Sequence, residues 1–136
     1  IMPPQEGATS IVKTTGNPDS HVVLRGGRNG TNFEALQVGA TCEALKKSGL
    51  HPAVMVDCSH ANSSKDPQRQ PLVWKSILEQ RASGCREIIG AMLESNLHPG
   101  AQTLGDDLSA LQYGVSITDG CIGWEKTEEI LREGAK

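Results

Sequence analysis

The chain has 136 residues, 37% of them hydrophobic and 21% charged, with a formal net charge of −3. That length and balance suit one domain with a buried core and argue against disorder. Scattered Lys and Arg offer no stripe for a nucleic acid. The longest apolar stretches, around Ala53–Val56 and Ile88–Leu93, fall far short of the roughly 20 residues that span a bilayer, and Ile1–Lys13 lacks signal-peptide architecture, so the expectation is a soluble, cytoplasmic protein that handles small ligands.

In chain order, Ser10–Lys13 and His21–Leu24 are short β-prone runs around Gly16-Asn17-Pro18-Asp19, a turn cluster, and read as a β-hairpin over about residues 8–25. Thr31-x-x-Glu34 has the spacing of a capping box, and Phe33, Leu36, Ala40 and Ala44 follow at helical spacing with Gly49 at the expected end. Pro52–Asp57 then reads as a strand, Ser59–Gln70 as a polar loop, Pro71–Ala82 as a helix closing before Gly84, and Glu87–Leu93 as a third strand. Ser95–Gln112 is a long loop, and Ile117–Arg132 contains helix-compatible segments carrying Ile122, Ile130 and Leu131. Alternating strand and helix predicts an α/β fold with a parallel sheet and right-handed crossovers, in one domain over 1–136. A core short of aromatic residues, with one Phe and one Tyr, fits buried parallel strands.

Three polar residues hold equivalent places. Arg25, His60 and Glu94 each follow a strand, about one βα repeat of roughly 30 or more residues apart. In a parallel array all three project from the carboxyl rim, where α/β enzymes place their sites. His60, Glu94 and Asp119 offer a nitrogen and carboxylate oxygens, a set suited to Mn, Fe, Co or Zn. Arg25, beside Gly26-Gly27, fits an anion clamp. From spacing alone each has an ordinary alternative: a hydrogen-bonded histidine at a strand end, carboxylates in caps or ion pairs, an arginine paired with a carboxylate. The four cysteines, Cys42, Cys58, Cys85 and Cys121, form no C-x-x-C pair and read as free thiols. Cys58 reads as core although it lies two residues before His60. Lys65 and Arg69 read as solvated, Asn62-Ser63-Ser64 as a turn, His51 and His98 as loop residues, and Trp74 and Trp124 as packing.

Four ordered motifs carry a resemblance that spans essentially the whole chain. They are Gly16-Asn17-Pro18-Asp19 with His21–Gly27, Val56–Lys65, Ile89–Asn96 and Tyr113–Glu125. Together they resemble the class I 3-deoxy-D-arabino-heptulosonate 7-phosphate (DAHP) synthases. The resemblance implies the C-terminal part of a TIM (β/α)8 barrel, its sixth to eighth strands with their helices, preceded by a hairpin. It implies the condensation of phosphoenolpyruvate with erythrose 4-phosphate, with release of phosphate, at the entry to the shikimate pathway and aromatic amino-acid biosynthesis. Carried over residue by residue, His60, Glu94 and Asp119 match three ligands of a divalent metal ion, and Arg25 matches an arginine that holds phosphoenolpyruvate. The family's fourth ligand, a cysteine on the first strand, has no counterpart among the four cysteines here. A full barrel needs about 250 residues, so the chain reads as a fragment that should not catalyse alone. The resemblance also places an aromatic amino-acid effector near Ile1–Val12 and a homo-oligomeric parent enzyme. Two other readings stand beside it: a non-catalytic module that binds a partner or effector, and an unrelated metal-dependent aldolase or hydrolase.

Overall fold

The computed structural model describes residues 11–136. Three parallel strands, β1 (Val22–Leu24), β2 (Val54–Asp57) and β3 (Ile88–Met92), form a sheet in the order β1-β2-β3. Val22 pairs with Val54 and Leu24 with Val56, while Val54 pairs with Ile88 and Asp57 with Met92 across a register shift after Val54. The connections carry α1 (Ala35–Lys47) and α2 (Gln70–Ala82), and α3 (Trp124–Gly134) follows the long loop after β3.

Alternation along β2 decides where the core sits. Val54, Val56 and Cys58 share one face and are all fully buried. They pack with Leu24 and Ile88, with Val38 and Cys42 of α1, with Val73 and Ile77 of α2, and with Phe33. Met55 and Asp57 point to the opposite face, where Val23 and Met92 stay 40% and 39% exposed. Both long helices end alike: Gly49 and Gly84 take φ of 71° and 100°, and the amides of Leu50 and Cys85 donate to Leu45 and Gln80. These are Schellman ends, in which a left-handed glycine turns the chain back toward the next strand.

Several expectations need correction. Ile11–Lys13 form no strand and are exposed, and β1 pairs only with β2, so no hairpin is present among the described residues. Ser10 and most of Ile1–Val12 lie outside them. The Thr31–Glu34 box does not cap: the Thr31 hydroxyl donates to Glu34 Oε1 at 2.7 Å, and α1 starts after Glu34 with no side-chain cap. Within Ile117–Arg132 the helix begins only at Trp124, because residues 116, 121 and 122 are held in bridges to 101, 100 and 95. Trp74 packs on the core, its ring so close to Gly134 that a Cβ there would sit 2.6 Å from it. Trp124, by contrast, is 55% exposed at the start of α3.

Candidate metal centre

The loop after β2 is held by buried polar side chains. Asn62, 1% exposed, donates from Nδ2 to the carbonyls of Leu24 (3.0 Å) and Asp57 (2.9 Å) and accepts from the Asn32 amide at 2.8 Å. One amide thus ties the ends of β1 and β2 to the chain after β1. Gly26 makes the contact close: with φ 73°, a Cβ there would lie 2.7 Å from Ala61 Cβ. The absence of a Cβ at Gly26 thus lets the loop around Ala61 and Asn62 approach closely. Asn62-Ser63-Ser64 is therefore a strut as well as a turn.

His60, Ser64 and Lys65 all adopt left-handed backbone conformations, with φ of 51°, 57° and 62°. Such conformations cost on the order of 1–3 kcal/mol each and persist where surrounding contacts impose them. Here the Lys65 amide (2.8 Å) and the Ser63 hydroxyl (3.2 Å) both donate to the His60 carbonyl. The ring is fixed in turn by Asp57, 2% exposed. Ser59 donates its hydroxyl (2.7 Å) and amide (2.8 Å) to Asp57 Oδ1, which leaves Oδ2 for His60 Nδ1 at 2.7 Å. The Ser59 oxygen also lies 2.7 Å from Nδ1; with the Ser59 hydroxyl given to Asp57, both neighbours of Nδ1 call for its proton, and in the neutral ring that leaves the lone pair on Nε2. Carboxylate–histidine pairs of this kind orient metal ligands.

Nε2 faces Glu94 Oε1 at 3.6 Å. Asp119 completes the group: one ligand atom from each of His60, Glu94 and Asp119 lies within 4.8 Å of the others. Asp119 comes from a distant segment that runs back beside the end of β3, where the Ile122 amide donates to the Glu94 carbonyl at 3.0 Å. Gly120 packs against Pro67, which seats the turn on the His60 loop. The three side chains line a small cavity of about 50 Å³ with Ser59, Ser63, Lys65, Pro67, Gln70 and Gly120. One imidazole nitrogen and two carboxylates, half-buried or exposed, fit a divalent transition ion in number and chemistry.

By sequence Gln70 closes a polar loop. It is fully buried, donates from Nε2 to the Glu94 carbonyl (3.0 Å) and accepts from the Glu94 amide (2.8 Å). The sequence marks Asp57 only as the end of a strand, although its place three residues before His60 is a visible signal; Gln70 offers none. Arg25 follows β1 as expected, and its carbonyl accepts from the Ala61 amide at 3.2 Å, but its exposed side chain does not line the cavity. Cys58 stays out of the cluster: burial, aided by the charge of Asp57, pushes its thiol up to about 12, so it remains a neutral core residue. A larger groove of about 640 Å³ between α1 and α2 contains none of the rim residues.

Residues 3–132 match the model of the DAHP synthetase I family. The chain belongs to that family. The Tyr-sensitive phospho-2-dehydro-3-deoxyheptonate aldolase of Escherichia coli is 47% identical over 129 residues, 95% of this chain and 36% of that protein. The phenylalanine-inhibited aldolase of Saccharomyces cerevisiae is 46% identical over 131 residues, 92% of this chain and 35% of that one. A solved structure, the phospho-2-dehydro-3-deoxyheptonate aldolase of Francisella tularensis, matches with a TM-score of 0.85 at 42% identity, covering 95% of this chain and 37% of its own. This member of the DAHP synthetase I family therefore spans about a third of the length of the relatives it matches. Over the matched region it shares the fold of the solved neighbour, and in this chain that fold is α/β with a small parallel sheet.

Proposed function

We propose that this chain carries the metal-binding rim of a DAHP synthase, which joins phosphoenolpyruvate to erythrose 4-phosphate. The observation that carries the reading is the convergence of His60, Glu94 and Asp119 within 4.8 Å in a chain of this family. A divalent ion held by these three would act as a Lewis acid toward the aldehyde oxygen of the sugar phosphate, making its carbonyl carbon a better target for the enol carbon of phosphoenolpyruvate.

The chain's own residues have distinct tasks. Asp57 keeps the His60 ring in one tautomer and one orientation. Glu94 and Asp119 bring negative charge that suits a cation and would repel anionic substrates unless cations stand nearby. Arg25, on the same rim, is assigned to phosphoenolpyruvate, since a guanidinium pairs bidentately with a carboxylate or phosphate.

The barrel reading has its own support. Parallel sheets are normally covered on both faces, and here α1 and α2 cover one face while Val23 and Met92 on the other remain partly exposed. Closing strands β1 to β3 into a larger barrel would cover those residues and remove both sheet edges. An aromatic amino acid would regulate the whole protein, as the names of its Tyr-sensitive and phenylalanine-inhibited relatives suggest.

The test is calorimetric titration of Mn(II) and Zn(II) into the chain and into His60→Ala and Glu94→Ala. Binding by the wild type that both substitutions abolish is expected. A folded wild type that binds neither ion would overturn the assignment.

A further inference from the structure

We propose that Gln70 is the positioning residue of the metal site, setting where Glu94 stands and, through the Glu94 carbonyl, where Asp119 stands. This inference rests on the metal-site reading above. The strand pairing of β2 with β3 ends where the Cys58 amide donates to the Met92 carbonyl. Glu94 lies two residues beyond, past the reach of that ladder. Its amide and carbonyl are nevertheless both paired, because Gln70 offers an acceptor at 2.8 Å and a donor at 3.0 Å. The side-chain amide thus does what an adjacent strand would do, pairing both backbone groups of Glu94, whose carboxylate stands 3.6 Å from His60 Nε2.

The same carbonyl accepts a second bond, from the Ile122 amide at 3.0 Å, and the Ile122 carbonyl accepts from Asn96 at 3.0 Å. Ile122 is fully buried and follows Asp119 by three residues. Gln70 itself opens α2 at the end of the loop that begins with His60. One buried amide therefore links all three segments that supply ligand atoms. Burying a primary amide is costly unless both its groups are paired. The Glu94 backbone satisfies both of them in a single direction, which leaves the side chain one stable placement.

The test compares the chain with Gln70→Met and Gln70→Glu. Methionine fills the space and loses both hydrogen bonds; glutamate keeps an acceptor for the Glu94 amide but sets a second carboxylate oxygen against the carbonyl. Mn(II) affinity is read by calorimetry, the bound ion by its EPR spectrum, and thermal unfolding is followed without metal. Loss of supporting residues typically weakens metal binding about 10–100-fold. Gln70→Met is expected to bind Mn(II) at least about tenfold more weakly, with a changed EPR spectrum, while still unfolding cooperatively. A merely structural role would lower the unfolding temperature and leave affinity and spectrum alone. A folded Gln70→Met within twofold of wild-type affinity overturns the proposal. If that variant does not fold, Gln70→Glu decides on the same criterion. A wild type that binds no metal sinks the metal-site reading and this inference together, whereas wild-type binding with unaffected variants sinks this inference alone.

Discussion

Replacing Asn62 by alanine should be among the most damaging single changes in the loop that carries His60. Three backbone groups each lose a hydrogen bond at once: the carbonyls of Leu24 and Asp57 and the amide of Asn32. Each lost bond costs about 1 kcal/mol net, and more where the abandoned group stays dry. Asn62 is 1% exposed, so water reaches these groups only if the loop opens. The sum is about 3–4 kcal/mol, a large share of the roughly 5–15 kcal/mol that holds a typical domain folded. Urea unfolding followed by circular dichroism measures it. Asn62→Asp keeps an acceptor for Asn32 but aims a carboxylate oxygen at two carbonyls, so it should lose at least as much. A loss below about 1 kcal/mol in the alanine variant would show that the strut is dispensable and refute the reasoning.

Asp57→Asn frees the His60 ring from its anionic anchor, and Mn(II) affinity measured by calorimetry should drop about 10–100-fold. Gly26→Ala meets both a left-handed φ of 73° and a Cβ contact of 2.7 Å with Ala61; strain and overpacking together should cost roughly 2–4 kcal/mol in a denaturant titration. Cys58 should shape alkaline stability. Its thiol is raised from 9.0 to about 12 in the folded chain, so above pH 9 the unfolded chain releases a proton that the folded chain keeps. Stability from this residue is intact below that pH and is lost as pH rises toward 12. By pH 10 the loss should be about 1–2 kcal/mol, read as a fall in urea midpoint between pH 8 and pH 10 that is smaller in Cys58→Ala.

Much of the fold was legible because its signals are local. The strands at Val22–Leu24, Val54–Asp57 and Ile88–Met92 fall inside the β-prone runs, and α2 begins one residue before Pro71. Gly49 and Gly84 mark helix ends because only a residue without a Cβ takes φ near 71° or 100° at little cost. The errors had local causes too. Thr31 and Glu34 have capping-box spacing, but the two side chains bond each other. Ile11–Lys13 have strand propensity, yet among the described residues they have no partner to pair with. Ile117–Ile122 suit a helix by composition, but bridges to Ser95 and Gly100 hold the end of this stretch extended.

The sequence by itself determined that strands and helices alternate, and it put Arg25, His60 and Glu94 on one rim, because those placements follow from period, turn chemistry and chain order. Only the tertiary structure decided how a site is made of them. Asp119 reaches His60 and Glu94 because Ile122 is tied to the Glu94 carbonyl, and Asn62 and Gln70 take their roles from partners brought close by folding. A buried polar side chain has no meaning until its partner is known. That partner is chosen by the packing of segments as far apart as Leu24 and Asn62, which no local pattern encodes.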